Sequence, residues 1–148
     1  MGLTGKLVAQ IEFKHGGDVF HDLFKHKPHH ISHKIPKLVQ GCELHEGEYG
    51  KVGSKICWRY THDGKERRAK QVIEAIEEEN KLIKYKMLEG DLMEEYKDFI
   101  ITLHIETKRN RDMVTWTLEY EKRNEDVKHP ISLLAYFIEV TKDIETNH

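Results

Sequence analysis

The segment ISLLAYFIEVTKDIE, residues 131–145, decides the fold. Wound at about 100° per residue, it puts Leu133, Leu134, Phe137, Ile138, Val140, Thr141 and Ile144 on one arc, and adding Ile131 widens that arc to roughly 180°. A helix resting on one surface needs an apolar stripe only somewhat wider than ~100°. This helix is therefore expected to have apolar partners on more than one side, and Pro130 is placed to open it.

Working back from the helix, the hydrophobic period changes to two. Val114, Trp116, Leu118 and Tyr120 alternate with Thr115, Thr117, Glu119 and Glu121, as a half-buried strand requires. Phe99, Ile101, Leu103 and Ile105 read the same way, as do Ile83, Tyr85 and Met87, with turns expected at Arg109-Asn110 and Glu79-Asn80. In the run from Ala69 to Ile76 both parities carry apolar residues, so its inward face stays open between Ala69, Gln71, Ile73, Ala75 and Lys70, Val72, Glu74, Ile76. Val39–Leu44 and Ile56–Thr61 flank EGEYGKVGS, where Gly47, Gly50 and Gly53 supply the positive φ values of a tight hairpin loop. Near the amino terminus Leu7, Ala9, Ile11 and Phe13 form the first strand.

Between the first and second strands the period lengthens again. Gly16 and Gly17 stop the strand, Asp18 is a candidate cap, and Val19, Phe20, Leu23 and Phe24 make a short apolar stripe that ends at Lys27-Pro28. Pro28 opens a second short helix carrying Ile31, which must end before Pro36. Two brief helices meeting at a corner make a V. Adjacent antiparallel strands with helices segregated to one side define an α+β domain, and the 148 residues fit a single domain over 1–148.

Composition narrows the function. A formal net charge of −2, with Lys and Arg interspersed among Asp and Glu, gives no electrostatic footprint for nucleic acid or an anionic membrane. With 34% charged residues and no apolar run near the ~20 residues of a span, no membrane segment is expected. MGLTGK lacks the apolar core of a signal peptide, and Lys6 stands where a myristoylation signal at Gly2 wants Ser or Thr, so the expected location is cytoplasmic. Cys42 and Cys57 are expected to be free thiols, although their similar distance from the Tyr49-Gly50 turn leaves open a bridge across the hairpin under oxidation.

Four segments carry a resemblance. EGEYGKVGS, EGDLMEEYKDF, TWTLEYEKRNED and KPHHIS, in this order of elements, resemble the major latex protein branch of the Bet v 1 superfamily, which includes pathogenesis-related class 10 proteins. The resemblance covers essentially the whole chain and implies a helix-grip fold. That fold has a seven-stranded antiparallel sheet, a V of two short helices, and a long C-terminal helix over a large internal cavity. It also implies a plant cytosolic protein, monomeric or a weak dimer, that binds a hydrophobic small molecule of the hormone, lipid, flavonoid or alkaloid kind and is tied to defence and stress responses.

Parity then names the residues expected to line such a cavity. From the sheet these are Trp58, Tyr60, Gln71, Ile83, Tyr85, Met87, Phe99, Ile101, Leu103 and Trp116. The terminal helix adds Leu134, Phe137, Ile138 and Thr141, and the V closes the end with Leu23, Phe24 and Ile31. This lining suits a flat, largely apolar ligand whose polar groups are met by Tyr60, Gln71, Tyr85 or Thr141.

Other chemistries find less support. The glycine loop lies between two strands and offers no helix N-terminus, so neither nucleotide nor any other cofactor is expected. Seven of eleven histidines precede position 46, but His29, His30 and His33 lack a Cys or carboxylate to complete a metal set. The alkaloid-condensing branch of the same superfamily carries Tyr and Glu on the fourth strand and Lys on the fifth. The matching positions here are Ala69, Gln71 and Ile83, which cannot move a proton as that chemistry requires. His104 and Glu106, possible bases for an isomerase or cyclase-like enzyme of specialised metabolism, have outward parity. The hormone-receptor branch has a Ser-Gly-Leu-Pro-Ala gate and a His-Arg-Leu latch, where this chain reads THDGKERR and EEENKLI. A binding protein without catalytic residues is the expectation, with an enzyme as the alternative.

Overall fold

The computed structural model describes residues 3–147, so Met1, Gly2 and His148 lie outside it, and with them the myristoylation position. The chain runs β1 (Thr4–Phe13), α1 (Gly17–His26), a single helical turn at Pro28–His30 leading into α2 (Ile31–Lys34), β2 (Val39–Glu46) and β3 (Lys55–His62). It continues through β4 (Lys65–Glu77), β5 (Leu82–Gly90), a helical turn at Asp91–Glu94, β6 (Tyr96–Lys108), β7 (Arg111–Lys122) and α3 (Ile131–Thr146). The seven strands form one antiparallel sheet in the order β1-β7-β6-β5-β4-β3-β2, curved around α3 with the V of α1 and α2 at one end: a helix-grip fold.

Local chemistry accounts for the corners. The β3–β4 turn at Asp63-Gly64 and the β6–β7 turn at Arg109-Asn110 both hold two residues at positive φ, matching the right-handed twist of the strands they join. Asp18 does not cap α1; it lies in the first turn, and Asp112 of β7 accepts a 2.6 Å hydrogen bond from Gly17 N–H instead. In the glycine loop Gly47, at φ 90°, lies where a Cβ would meet the Ser54 side chain and backbone. The Ser54 hydroxyl accepts from Glu48 N–H at 3.0 Å and donates to Glu48 C=O at 2.5 Å, fixing the loop.

Register resolves two questions that the sequence left open. In β4 Ala69, Gln71 and Ile73 face inward; a bulge between Ile73 and Ala75 then turns Ile76 toward the core, where it pairs with Ile83. That bulge is why Ile76, of the parity opposite to Ile73, is apolar. In the β2–β3 hairpin Cys42 pairs with Trp58 and Cys57 with Glu43, so the two thiols are offset by one residue and project from opposite faces. The possible bridge is thereby excluded geometrically.

The buried stripe of α3 is Leu133, Tyr136, Val140, Thr141 and Ile144, with Phe137 half-buried beside it. The spacing i, i+3, i+4, i+7, i+8, i+11 spans roughly 140°. Ile131 is 66% exposed, and Leu134 and Ile138 flank the stripe half-buried, so the expected wide arc is narrower, runs from Tyr136 to Thr141 and is centred between Leu133 and Ile144. Below the helix, Phe13 and Phe20 meet at 4.9 Å between ring centroids, Phe20 and Phe24 at 4.9 Å, and Phe24 and Trp116 at 5.5 Å. This aromatic row joins β1, α1 and β7 into a solid core at one end of the grip.

Candidate functional site

Between the aromatic row and the β2–β3 hairpin the concave face encloses a cavity of about 80 Å³. Its floor is Trp58 and Tyr60 of β3, Ala69 and Gln71 of β4, Tyr85 and Met87 of β5, Ile101 of β6 and Trp116 of β7. Phe24, Ile31, Val39 and Leu92 close its sides, and Leu133, Tyr136, Phe137 and Val140 of α3 form its roof. Alternation on the strands and the helical stripe bring these side chains together, because each strand sends every second residue to the same concave surface.

Ten of the residues expected from parity are in this wall: Phe24, Ile31, Trp58, Tyr60, Gln71, Tyr85, Met87, Ile101, Trp116 and Phe137. Leu23, Ile83, Phe99, Leu103, Leu134, Ile138 and Thr141 are not. Phe99 is packed into a separate aromatic cluster, 5.0 Å from Tyr96 and 5.8 Å from Tyr120, and Leu103 lies beside Ile83 and Trp116 in the filled part of the sheet. Leu23 is buried on α1 away from the opening, while Leu134 and Ile138 lie off the inward stripe of α3. Val39, Ala69, Leu92, Leu133, Tyr136 and Val140 were not anticipated. For Tyr136 the i+3 spacing from Leu133 was the readable signal.

The cavity is smaller than the large space that the resemblance implies, and well below the roughly 300–1,000 Å³ of sites for drug-sized ligands. Aromatic volume is the cause. Phe137 stacks on Trp116 with centroids 4.6 Å apart and planes at 18°, and Tyr136 tilts toward Tyr60 at 5.7 Å. Thr141, expected to meet a ligand, has its hydroxyl engaged on both sides: it accepts from Trp116 Nε1–H at 2.9 Å and donates to the Phe137 carbonyl at 2.8 Å.

The polar groups of the wall are few. Tyr136 donates its hydroxyl to the Leu38 carbonyl at 2.6 Å. Tyr60, 8% exposed, has its phenol pushed up to about 12 by burial, and Gln71 is buried alongside. Tyr85 is 3% exposed, and among the described residues its hydroxyl has no hydrogen-bond partner; burial pushes its ionisation far above the ordinary tyrosine range, so it is a proton donor to hydrogen bonds at any physiological pH. Among the described residues, no Lys, Arg, His, Asp or Glu lines the cavity.

At the outer end of the V, His29 stacks on Tyr49 of the glycine loop at 4.5 Å, and Gly50 approaches His26 so closely that a Cβ would lie 2.8 Å from its Nδ1. Among the described residues no group of three His, Cys, Asp or Glu side chains is arranged to hold a metal ion.

Residues 2–147 match the model of the pathogenesis-related protein Bet v 1 family. The chain belongs to that family. Within the Bet v 1 family its similarity is to the major latex proteins. It is 47% identical over 145 residues to MLP-like protein 28 of Arabidopsis thaliana, covering 97% of this chain and 43% of that relative's length. It superposes on the crystal structure of major latex-like protein 151 from Panax ginseng with a TM-score of 0.96 at 50% identity, covering 99% of each chain. Norcoclaurine synthase from Thalictrum flavum, crystallised with dopamine and hydroxybenzaldehyde, shares the Bet v 1 fold alone, at 16% identity and a TM-score of 0.73 over 98% of this chain and 88% of that one.

Proposed function

We propose that this chain binds a neutral, flat and largely apolar small molecule beneath α3, without covalent chemistry. The observation that carries the reading is the Tyr85 hydroxyl, buried in a largely apolar wall with no hydrogen-bond partner among the described residues. Leaving such a group unpaired costs about 1–3 kcal/mol, which a ligand acceptor offsets on binding. A carbonyl or ether oxygen near Tyr85 suits the site, whereas a carboxylate or phosphate would be buried with no cation to meet it. A ligand of this class exceeds 80 Å³, so binding displaces part of the roof; Phe137 and Leu92, half-buried at its rim, are the side chains with room to move. The family's pathogenesis-related description supports a role in defence or stress responses.

The alternative, an isomerase or cyclase-like enzyme, finds no proton carrier among the described residues of the wall: the ionisable groups there are tyrosine phenols, those of Tyr60, Tyr85 and Tyr136 shifted upward. The reading is tested by displacement of a fluorescent apolar dye with neutral and anionic ligand panels. Phe137→Lys should abolish dye binding while preserving the fold by circular dichroism. Unchanged dye affinity in that folded variant overturns the cavity as the binding site, and turnover of a bound compound overturns the non-catalytic reading.

A further inference from the structure

The two edges of the sheet are built differently. β2 is preceded by Pro36, breaks register at Val39/Gly41 and at Leu44/Glu46, and packs against α2. Bulges, proline and a covering helix are the devices that stop an edge from recruiting another strand. β1 carries neither a bulge nor a proline, and α3 packs against its concave side without adding a strand to its outer edge. It pairs with β7 from Thr4↔Glu121 to Phe13↔Asp112 without a register shift, and no other described strand lies on its far side.

The hydrogen bonds of this ladder fix which groups are free. Lys122 N–H donates to the Leu3 carbonyl at 2.7 Å, so Leu3 and the odd-numbered residues after it bond to β7. The backbone groups of Thr4, Lys6, Val8, Gln10 and Glu12 therefore point off the edge. Val8, 54% exposed, lies at their centre.

We propose that β1 is a self-association edge that pairs antiparallel with β1 of a second copy about a two-fold axis through Ala9. In that register Lys6 exchanges backbone bonds with Glu12 of the second copy and Val8 with its Gln10, while Leu7 meets Ile11 on the concave side. The strand is nearly self-complementary: its one lysine sits opposite its one glutamate, twice over. A lysine on an edge ordinarily repels incoming strands, and a glutamate directly opposite turns it into a register signal. The neighbouring register through Val8 puts Lys6 against Gln10 and Thr4 against Glu12 and forfeits both charge pairs. Two copies so joined make one continuous sheet with the two cavities on separate subunits, so the dimer needs no ligand.

Sedimentation velocity over a wide concentration range, on the full chain, tests this. A concentration-dependent dimer is expected, weakening with added salt. Val8→Pro removes a donor that faces away from β7, and should leave the protein folded and monomeric. Lys6→Glu and Glu12→Lys should each raise the dissociation constant roughly tenfold or more, and the double variant should restore it. Melting curves of the charge variants establish that each is folded, so the charge series decides the matter even if Val8→Pro does not fold. A protein that stays monomeric at the highest concentration, or a dimer indifferent to all four variants, overturns the proposal.

Discussion

The indole N–H of Trp116 reaches the hydroxyl of Thr141 at 2.9 Å, joining the middle of β7 to the inner face of α3 in a buried hydrogen bond. The Thr141 hydroxyl donates a hydrogen bond to the Phe137 carbonyl one turn earlier, and the Phe137 ring stacks on the same indole. Helix and sheet are thus held by one polar contact and one aromatic contact that share Trp116.

Replacing Thr141 with Val keeps its shape and removes the acceptor, leaving a buried indole N–H unpaired. A loss of about 1–3 kcal/mol is expected in urea unfolding. Because Thr141 lies outside the cavity wall, dye affinity at a temperature where the variant is folded should stay unchanged. A parallel loss of binding would put Thr141 in the site.

Tyr85→Phe is expected to do the reverse. It deletes a hydroxyl without a hydrogen-bond partner among the described residues and leaves the ring packing in place, so unfolding should be unchanged or more costly by up to about 1 kcal/mol. Affinity for ligands carrying a carbonyl should fall while affinity for a pure hydrocarbon of similar shape holds. Calorimetric titration with such a pair distinguishes the two effects.

Much of this was legible in the sequence because alternation and helical spacing have fixed periods. Tyr85 and Met87 fall in the wall because a strand has only two faces and Lys84 and Lys86 occupy the other, as Arg59 does beside Trp58 and Tyr60. Parity could not say how far along each strand the opening extends. Phe99 and Leu103 have inward parity yet are sealed, since that depends on which neighbouring rings fill the space. The bulge in β4 and the placement of Tyr136 on α3 also come from tertiary packing, as does the capping of α1 by Asp112, a residue distant in sequence.

His21 gives the protein a pH dependence. It is 8% exposed on α1 with Nε2 unpartnered among the described residues, and burial, then Lys25 and Lys81, lower its pKa below the ordinary 6.5, with Asp18 opposing and His26 adding a smaller lowering. The unfolded chain therefore takes up a proton at His21 before the folded protein does. Stability from this site is full above pH 6.5 and is lost as pH falls from there through the lowered folded value. Urea midpoints measured between neutral and mildly acidic pH should decline, and His21→Gln should flatten the decline. An equal decline in the variant would assign it to other groups.

Phe137→Ala sets stability against capacity. The ring stacks on Trp116 and forms part of the cavity roof, so its removal costs packing and enlarges the space beneath α3. Truncating a core phenylalanine costs about 3–5 kcal/mol, and the half-buried position of Phe137 puts the expected loss near the lower figure. The space gained lies where a ligand must enter, so bulky apolar ligands should bind the variant more tightly than the native protein once the measurement is made where both are folded. Tighter binding arises because the native roof must be displaced and the truncated one need not be. Equal affinities for large and small ligands in both proteins would mean that Phe137 does not limit the site. That result would leave Leu92, on the connection between β5 and β6, as the side chain that yields.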